Sequence, residues 1–472
     1  MRKTKIICTV GPATDQENIL EELMKAGMNV ARFNFSHGDH ETHKERFEKI
    51  KMLREKLKLP VATMLDTKGP EIRLGLFKDH KPVTLKNGED YLLTTREIEC
   101  DEKQASVSYK GMPNDISVGT VVKINDGLVS LKVNKIDETE MYCTVIDGGV
   151  ISDRKGVNVP DVDLSLPYLS YSDMADLEFG AKMGFDFIAA SFVRSAADVD
   201  YLRKFTNSVG FQGVKIIAKI ENMSGIENID EIIAAADGVM VARGDMGVEI
   251  PFERIPSIQK KIIKKVYRAG KIVITATQML ESMIHNPLPT RAEITDVANA
   301  IYDGTSAIML SGETAAGEHP IEAVKTMALI AESTEREISY ERRFRTSETA
   351  AQDVSSAISH ATVTTSFDLK ASAIITVTKS GRTARMISAN RPDCMIIGST
   401  TDERVLRQLN MSWGVAPLLC DEKTNSDELF MHAIEVAKRE GLVKEGELTV
   451  ITAGLPLGQS GTTNMLRVEI VK

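Results

Sequence analysis

Residues 215–222 read KIIAKIEN, and the fold follows from how this octapeptide is taken. Ile216, Ile217, Ala218 and Ile220 form a short apolar run of the kind found in strands of a parallel sheet buried on both faces. Lys219 and Glu221 interrupt it at alternate positions, so in an extended strand both side chains leave the same face. A core built only for stability has no use for two opposite charges aimed at one spot. The mouth of a parallel barrel does, because reactive groups gather there at the C-terminal ends of the strands.

Seven further runs of this type flank the octapeptide: KIICTV (5–10), NVARFNF (29–35), VATMLD (61–66), FDFIAAS (185–191), GVMVARG (238–244), KIVITAT (271–277) and SAIMLS (306–311). Amphipathic segments such as ENILEELMKAGM, ETHKERFEKIKMLREKL, DMADLEFGAKMG and RAEITDVANAIYDG lie between or after them. Eight strands with helical crossovers predict an α/β fold, a (β/α)8 TIM barrel, over residues 1–70 and 167–343. The polar residues fall at the strand ends: Arg32 and Asn34, Asp66, Ser191, Lys219 and Glu221, Arg243 and Asp245, Thr277, then Ser311 and Glu313.

Residues 71–166 change character. Alternating runs TVVKIN, VSLKVN and MYCTVI are separated by turn signals at Asn125-Asp126-Gly127 and Asp147-Gly148-Gly149, which predicts an all-β insertion. It follows directly on a mouth residue, a position suited to a lid. After the polar stretch ERRFRTSETAAQD a third unit, 344–472, alternates helices with the strands AIITVT, CMIIGS, GVAPLL, LTVITA and LRVEIV, a C-terminal α/β domain.

The bulk properties bound the function. In 472 residues, 42% hydrophobic and 26% charged, the net charge of -9 argues against general nucleic-acid affinity. The five cysteines are scattered and form no C-x-x-C pair, which points to a reducing cytoplasm rather than a disulfide or zinc framework. No stretch approaches the roughly 18 apolar residues of a membrane span, and the apolar run near the N-terminus is too short for a secretory signal. His37, His40 and His43 recur at a spacing that could suggest a metal; they are read instead as the start of an amphipathic helix with Asp39 as its N-cap.

Glu221 and Asp245 end neighbouring strands, and two hard carboxylates in a partly open site suit Mg2+. Lys219 supplies positive charge for a developing oxyanion. Gly244 and Asp245 lie between a strand and a helix, where backbone N–H groups can meet an anion, and the Thr277 hydroxyl can pass a proton directly or through water. Ser191, Arg243, Gly244, Asp245 and Thr277 are the substrate-binding candidates. Asn34, Ser36, Asp66 and Thr67 form an oxygen-rich, weakly charged group that favours a monovalent cation, and Arg32 and Arg73 beside it have the forked donors that suit phosphate. In the last domain Thr378, Lys379, Ser380, Gly381, Arg382 and Thr383 form a small polar loop at a helix N-terminus, a candidate phosphate cradle for an effector. GLPLGQSGTTN (454–464) is a second such loop that could face it.

With these residues in hand, the chain resembles the pyruvate kinase family along essentially its whole length. IIAKIENMSGI fits that family's signature, and CTVGPAT, NVARFNFSHG, LDTKGPEIR, SFVR, MVARGDMGVEIP, ITATQMLESM, PTRAE and MLSGETA occur in its order. The resemblance implies phosphoryl transfer from phosphoenolpyruvate to ADP in glycolysis, with Mg2+ on Glu221 and Asp245 and K+ at Asn34, Ser36, Asp66 and Thr67. It further implies that Lys219 stabilises the moving phosphoryl group and the enolate oxygen, that Arg32 holds phosphate, that Thr277 serves proton delivery, and that Arg73 and Ser191 line the phosphate and substrate region. Glu71 resembles the residue type that accompanies K+ dependence. The TKSGRT loop resembles an allosteric sugar-phosphate pocket, and the family implies a cytoplasmic homotetramer, here in the form without an extra C-terminal domain. A Mg2+-dependent barrel lyase or aldolase acting on a pyruvate enolate is the rival enzyme; the K+ group, Arg32 and the β insertion weigh against it. A silent binding module would be expected to lack one of Lys219, Glu221, Asp245 and Thr277, and all four are present.

Overall fold

The computed structural model of the protein describes residues 2–346, 353–423, 425–456 and 462–472. Part of the polar stretch after residue 346 and residues 457–461 of the second Gly/Ser/Thr loop lie outside the described residues.

Eight parallel strands, Lys5–Thr9, Val30–Asn34, Ala62–Asp66, Phe187–Ala190, Lys215–Ile220, Gly238–Ala242, Ile272–Ala276 and Ala307–Leu310, close into a barrel in which each pairs with its neighbours in sequence and the last returns to the first. The octapeptide forms the fifth strand. Its alternation sorts the side chains as the pleat requires: Ile217 packs in the barrel lumen with Ile7, Val30, Met64 and Met240, while Ile216, Ala218 and Ile220 pack outward against the helix layer. Lys219 and Glu221 continue the inward row at the open end.

Helices cover the barrel with apolar stripes. Helix His40–Leu57 begins at Asp39, whose carboxylate accepts from the Thr42 N–H at 2.9 Å, and buries Phe47, Ile50 and Leu53. The histidines that open it are packing groups: His43 stacks on Phe35 with Nε2 2.9 Å from the His37 carbonyl, and His40 Nε2 lies 2.6 Å from Asp176 Oδ1.

Between the third and fourth barrel strands the chain forms a curled, mainly antiparallel seven-stranded sheet with its own core of Leu93, Val122, Leu131, Val133 and Met141. Asn125, Asp126 and Gly127 all take left-handed backbone conformations (φ 55°, 55° and 81°), which is why a turn rich in Asn, Asp and Gly joins two of its strands.

The C-terminal unit is a five-stranded sheet in the order Val415–Leu419, Met395–Thr400, Ala373–Val377, Leu448–Gly454 and Thr463–Ile470, parallel except for the last strand. It abuts the N-terminal end of the barrel. Met411 enters the lumen cluster, the Lys5 ammonium donates to the Val415 carbonyl at 2.7 Å, and Arg407 reaches the buried Asp186 carboxylate at 2.9 Å. No helix among the described residues is long and apolar enough to cross a membrane.

Candidate active site

The C-terminal ends of the first to seventh strands converge on one charged cluster. At its centre the Lys219 ammonium lies 3.0 Å from Asp66 Oδ1, 2.7 Å from Ser191 Oγ and 3.0 Å from Glu221 Oε1. The other oxygen of Asp66 accepts from Arg32 Nε at 2.6 Å, and Arg32 Nη1 donates to Thr9 Oγ1 at 2.9 Å. All of these groups are buried. Asp66 is thus shared by two cations. Burial pushes its carboxyl up, but Arg32 and Lys219 outweigh burial and hold it below the ordinary aspartate range. Burial also works against the Lys219 charge, yet Asp66, Glu221 and Asp245 together keep the ammonium above its ordinary value and therefore protonated.

Glu221 is sealed completely from solvent. Its Oε2 accepts the Phe192 N–H at 2.5 Å, whereas Oε1 meets the Lys219 ammonium only as an ion pair and accepts no hydrogen bond. Burial, reinforced by the neighbouring Asp245, pushes the Glu221 carboxyl up to about 8, with Lys219 acting in the opposite sense. A buried carboxylate with one oxygen that accepts no hydrogen bond, beside a second carboxylate, is a donor pair that could hold a divalent cation. Among the described residues no group of three or more His, Cys, Asp or Glu could hold a metal, so any ion here rests on this pair and on oxygens brought by substrate or water.

Asp245 does not end its strand. It sits in the first turn of helix Arg243–Glu249, which follows the sixth strand directly. The Gly244 N–H is already engaged, donating to Thr277 Oγ1 at 2.8 Å, and the Thr277 hydroxyl donates to the Ala276 carbonyl at 2.6 Å. Thr277 and Gln278 are left-handed (φ 66° and 53°), a conformation disfavoured for a β-branched residue and persistent only when its surroundings over-determine it. Arg243 does so. Its guanidinium donates to the Thr277 carbonyl at 2.7 Å and the Gln278 carbonyl at 3.1 Å, and is anchored to Asp296 at 2.6 Å.

Asn34 and Asp66 are register partners on adjacent strands. Asn34 Oδ1 accepts the Ser36 N–H at 3.1 Å; Thr67 offers its carbonyl to Ser191 Oγ at 2.6 Å and its hydroxyl oxygen to the Ser191 N–H at 3.1 Å. Arg73 stands apart from Arg32, on the short lid strand Ile72–Arg73, paired with Glu71 at 2.5 Å and with the Arg154 carbonyl at 2.9 Å. It lines a cleft of about 660 Å³ between lid and barrel mouth, together with Arg154 and Asn158 from the lid and Phe192, Asn222 and Asp245 from the barrel.

In the C-terminal unit, Thr378, Lys379, Ser380, Arg382 and Thr383 line a second pocket of about 120 Å³ at the strand ends. Gly381 makes the tight turn (φ 76°) that starts helix Arg382–Ala389, and Thr383 Oγ1 meets Thr463 Oγ1 at 2.8 Å from the facing strand.

Sequence reading missed Thr9, the Phe192 N–H and the Arg243–Asp296 clamp. Thr9 ends the first strand and was open to the same strand-end argument as its neighbours. The other two depend on a backbone group and a long-range ion pair, for which the sequence carries no local signal.

This arrangement is matched by known proteins. Residues 1–324 fit the family described as pyruvate kinase, barrel domain, and residues 356–469 fit pyruvate kinase, alpha/beta domain. The chain belongs to the pyruvate kinase family. It is 50% identical over 473 residues to a pyruvate kinase of Clostridium acetobutylicum, covering 100% of both chains. It is 48% identical over 476 residues to that of Geobacillus stearothermophilus, covering 100% of this chain and 80% of the relative. Among solved structures, a pyruvate kinase from Cryptosporidium parvum superimposes with a TM-score of 0.93 at 39% identity, covering 100% of this chain and 96% of the other. The barrel domain of that family corresponds to the eight-stranded barrel, and its alpha/beta domain to the separate C-terminal sheet.

Proposed function

We propose that Lys219 is the centre of a phosphoryl-transfer site that moves the phosphoryl group of phosphoenolpyruvate to ADP, giving pyruvate and ATP. The observation that carries the reading is the buried, permanently charged Lys219 held between Asp66, Ser191 and Glu221 at the barrel mouth. In the reaction the bond from phosphorus to the enol oxygen breaks, a β-phosphate oxygen of ADP bonds to phosphorus, and the enolate carbon takes up a proton. The electron pair of the breaking bond therefore leaves negative charge on the enolate oxygen while the attacking ADP oxygen gives up its own, and a fixed ammonium beside the phosphoryl group and the enolate oxygen stabilises both without reorganising. Arg32 holds a phosphoryl oxygen, Ser191 keeps the lysine aimed, and the Thr277 hydroxyl stands in the path of the proton. Arg73 and the other cleft residues receive the nucleotide, and the lid excludes water.

Glu221 and Asp245 would hold Mg2+, supported by two neighbouring carboxylates at the mouth and a Glu221 Oε1 that accepts no hydrogen bond. Bound there, Mg2+ would supply charge neutralisation for the phosphoryl and enolate oxygens. Asn34, Ser36, Asp66 and Thr67 would hold K+, a monovalent ion suiting a group whose one carboxylate is already shared by Arg32 and Lys219. The loop from Thr378 to Thr383 would bind a phosphorylated effector, supported by its pocket and helix N-terminus. The active form would be a homotetramer in the cytoplasm.

The test is ATP formation from phosphoenolpyruvate and ADP by purified protein, with and without Mg2+ and K+, repeated with sugar phosphates and AMP. ATP only when both ions are present is the expected result. Full activity without K+ would overturn the monovalent site, and insensitivity to the whole effector panel would overturn the regulatory reading of the loop.

A further inference from the structure

The lid is joined to the barrel by two connections, residues 67–71 leaving the third strand and residues 159–170 returning to helix Tyr171–Met183. One fully buried carboxylate, Asp173, holds both. Its Oδ1 accepts the Gly69 N–H at 3.1 Å on the outgoing connection; its Oδ2 accepts the Ser170 N–H at 3.0 Å and the Ser170 hydroxyl at 2.6 Å on the returning one. A helix cap needs only the second set. The bond to Gly69 spans about a hundred residues of sequence and contributes nothing to the cap.

Gly69 is also where the hinge touches the catalytic cluster. It is left-handed (φ 76°), and a Cβ at this position would come within 2.9 Å of both Phe192 Cδ2 and Ser191 Cβ. Those two residues orient the charged pair: the Phe192 N–H, from a backbone that is itself left-handed (φ 53°), donates to Glu221 Oε2 at 2.5 Å, and Ser191 Oγ accepts from Lys219 at 2.7 Å. Asp173 thus holds Gly69 by a hydrogen bond, and Gly69 lies too close to Ser191 and Phe192, the two residues that contact Lys219 and Glu221, to admit a side chain.

We infer that Asp173 is a positioning residue for phosphoryl transfer: it pins both connections of the lid and, through Gly69, fixes the two residues that aim Lys219 and Glu221. The inference rests on the reading of Glu221 as a metal-holding carboxylate. Groups that orient ligand side chains in this way typically cost about 10- to 100-fold in activity or metal affinity when removed.

The test compares Asp173→Asn, which keeps size but cannot accept from both connections, with Asp402→Ala, which removes the N-cap of the remote helix Glu403–Leu409 and matches the loss of capping. Three quantities are measured: kcat and KM for phosphoenolpyruvate, Mn2+ binding to the metal-free protein by electron paramagnetic resonance, and hydrogen exchange of the Gly69 segment. For Asp173→Asn the expected result is a fall in kcat and in Mn2+ affinity of roughly tenfold or more, little change in KM, and faster exchange at Gly69. Asp402→Ala is expected to leave all three unchanged. Gly69→Ala, which displaces Phe192 with Asp173 intact, should reproduce the losses in kcat and Mn2+ affinity, and it carries the test should Asp173→Asn not fold. Wild-type kcat and Mn2+ affinity in Asp173→Asn, or equal losses in Asp402→Ala, would overturn the inference. Glu221→Gln separates the two readings: undiminished Mn2+ binding in that variant removes Glu221 as a metal holder, whereas unchanged exchange at Gly69 in Asp173→Asn removes the pin.

Discussion

Lys219 sits among three oxygen neighbours in a space that water barely reaches, and a charge so held is preorganised for a reaction that moves negative charge past it. Lys219→Met keeps the volume of the side chain and removes the charge. It is expected to lower kcat by about 100- to 1,000-fold, the usual consequence of deleting one preorganised group, with the circular dichroism spectrum unchanged. Near wild-type turnover in a coupled assay would refute the assignment. The same substitution leaves Glu221 without its cation, so the protein without metal should lose stability, and added Mg2+ should raise the thermal midpoint of the variant more than that of the wild type.

At the scale of elements, the turn after the seventh strand depends on one guanidinium. Arg243 bridges helix Arg243–Glu249 to the carbonyls of Thr277 and Gln278 and to Asp296, so strain in the turn is balanced by a clamp from a neighbouring strand end. Arg243→Lys retains the charge but lacks the fork needed to reach carbonyls and carboxylate together. The expected outcome is a kcat lower by roughly 10- to 100-fold, because the Thr277 hydroxyl loses its set position. Steady-state kinetics with an unaltered kcat would show that the turn keeps its shape unaided.

For the whole molecule, the barrel floor is closed by the C-terminal unit, and two buried side chains report on that seam. Met411 fills the base of the lumen, and Met411→Ala is expected to cost about 2–5 kcal/mol, read as a lower urea midpoint. Lys5 gives a pH dependence. Burial, with Arg2 adding to it and Glu335 opposing, pushes its ammonium down to about 7 from an ordinary 10.5. Between those two values the unfolded chain holds a proton that the folded chain does not, so the Lys5 contribution makes stability rise as pH increases through this window. Below it both states are protonated and the contribution is constant at its least favourable. The wild type should therefore gain roughly 1–3 kcal/mol over Lys5→Met between pH 7 and pH 9, measured as urea midpoints at the two pH values. A pH-independent difference would show that the amine stays charged in the folded seam.

The sequence by itself determined the architecture and picked out most residues of the candidate site. A strand buried on both faces must be apolar, so the few polar residues at its end stand out, and eight repetitions of KIIAKIEN-like grammar leave little freedom in how the sheet closes. Lys219, Glu221, Asp66 and Thr277 were legible for that reason. Tertiary structure decided what holds them. The Phe192 N–H on Glu221, the Arg243–Asp296 clamp, the Asp173 pin on Gly69 and Met411 in the barrel floor all join residues far apart in sequence. Such contacts follow from where separate elements come to rest against one another, and neither periodicity nor residue type records that along the chain.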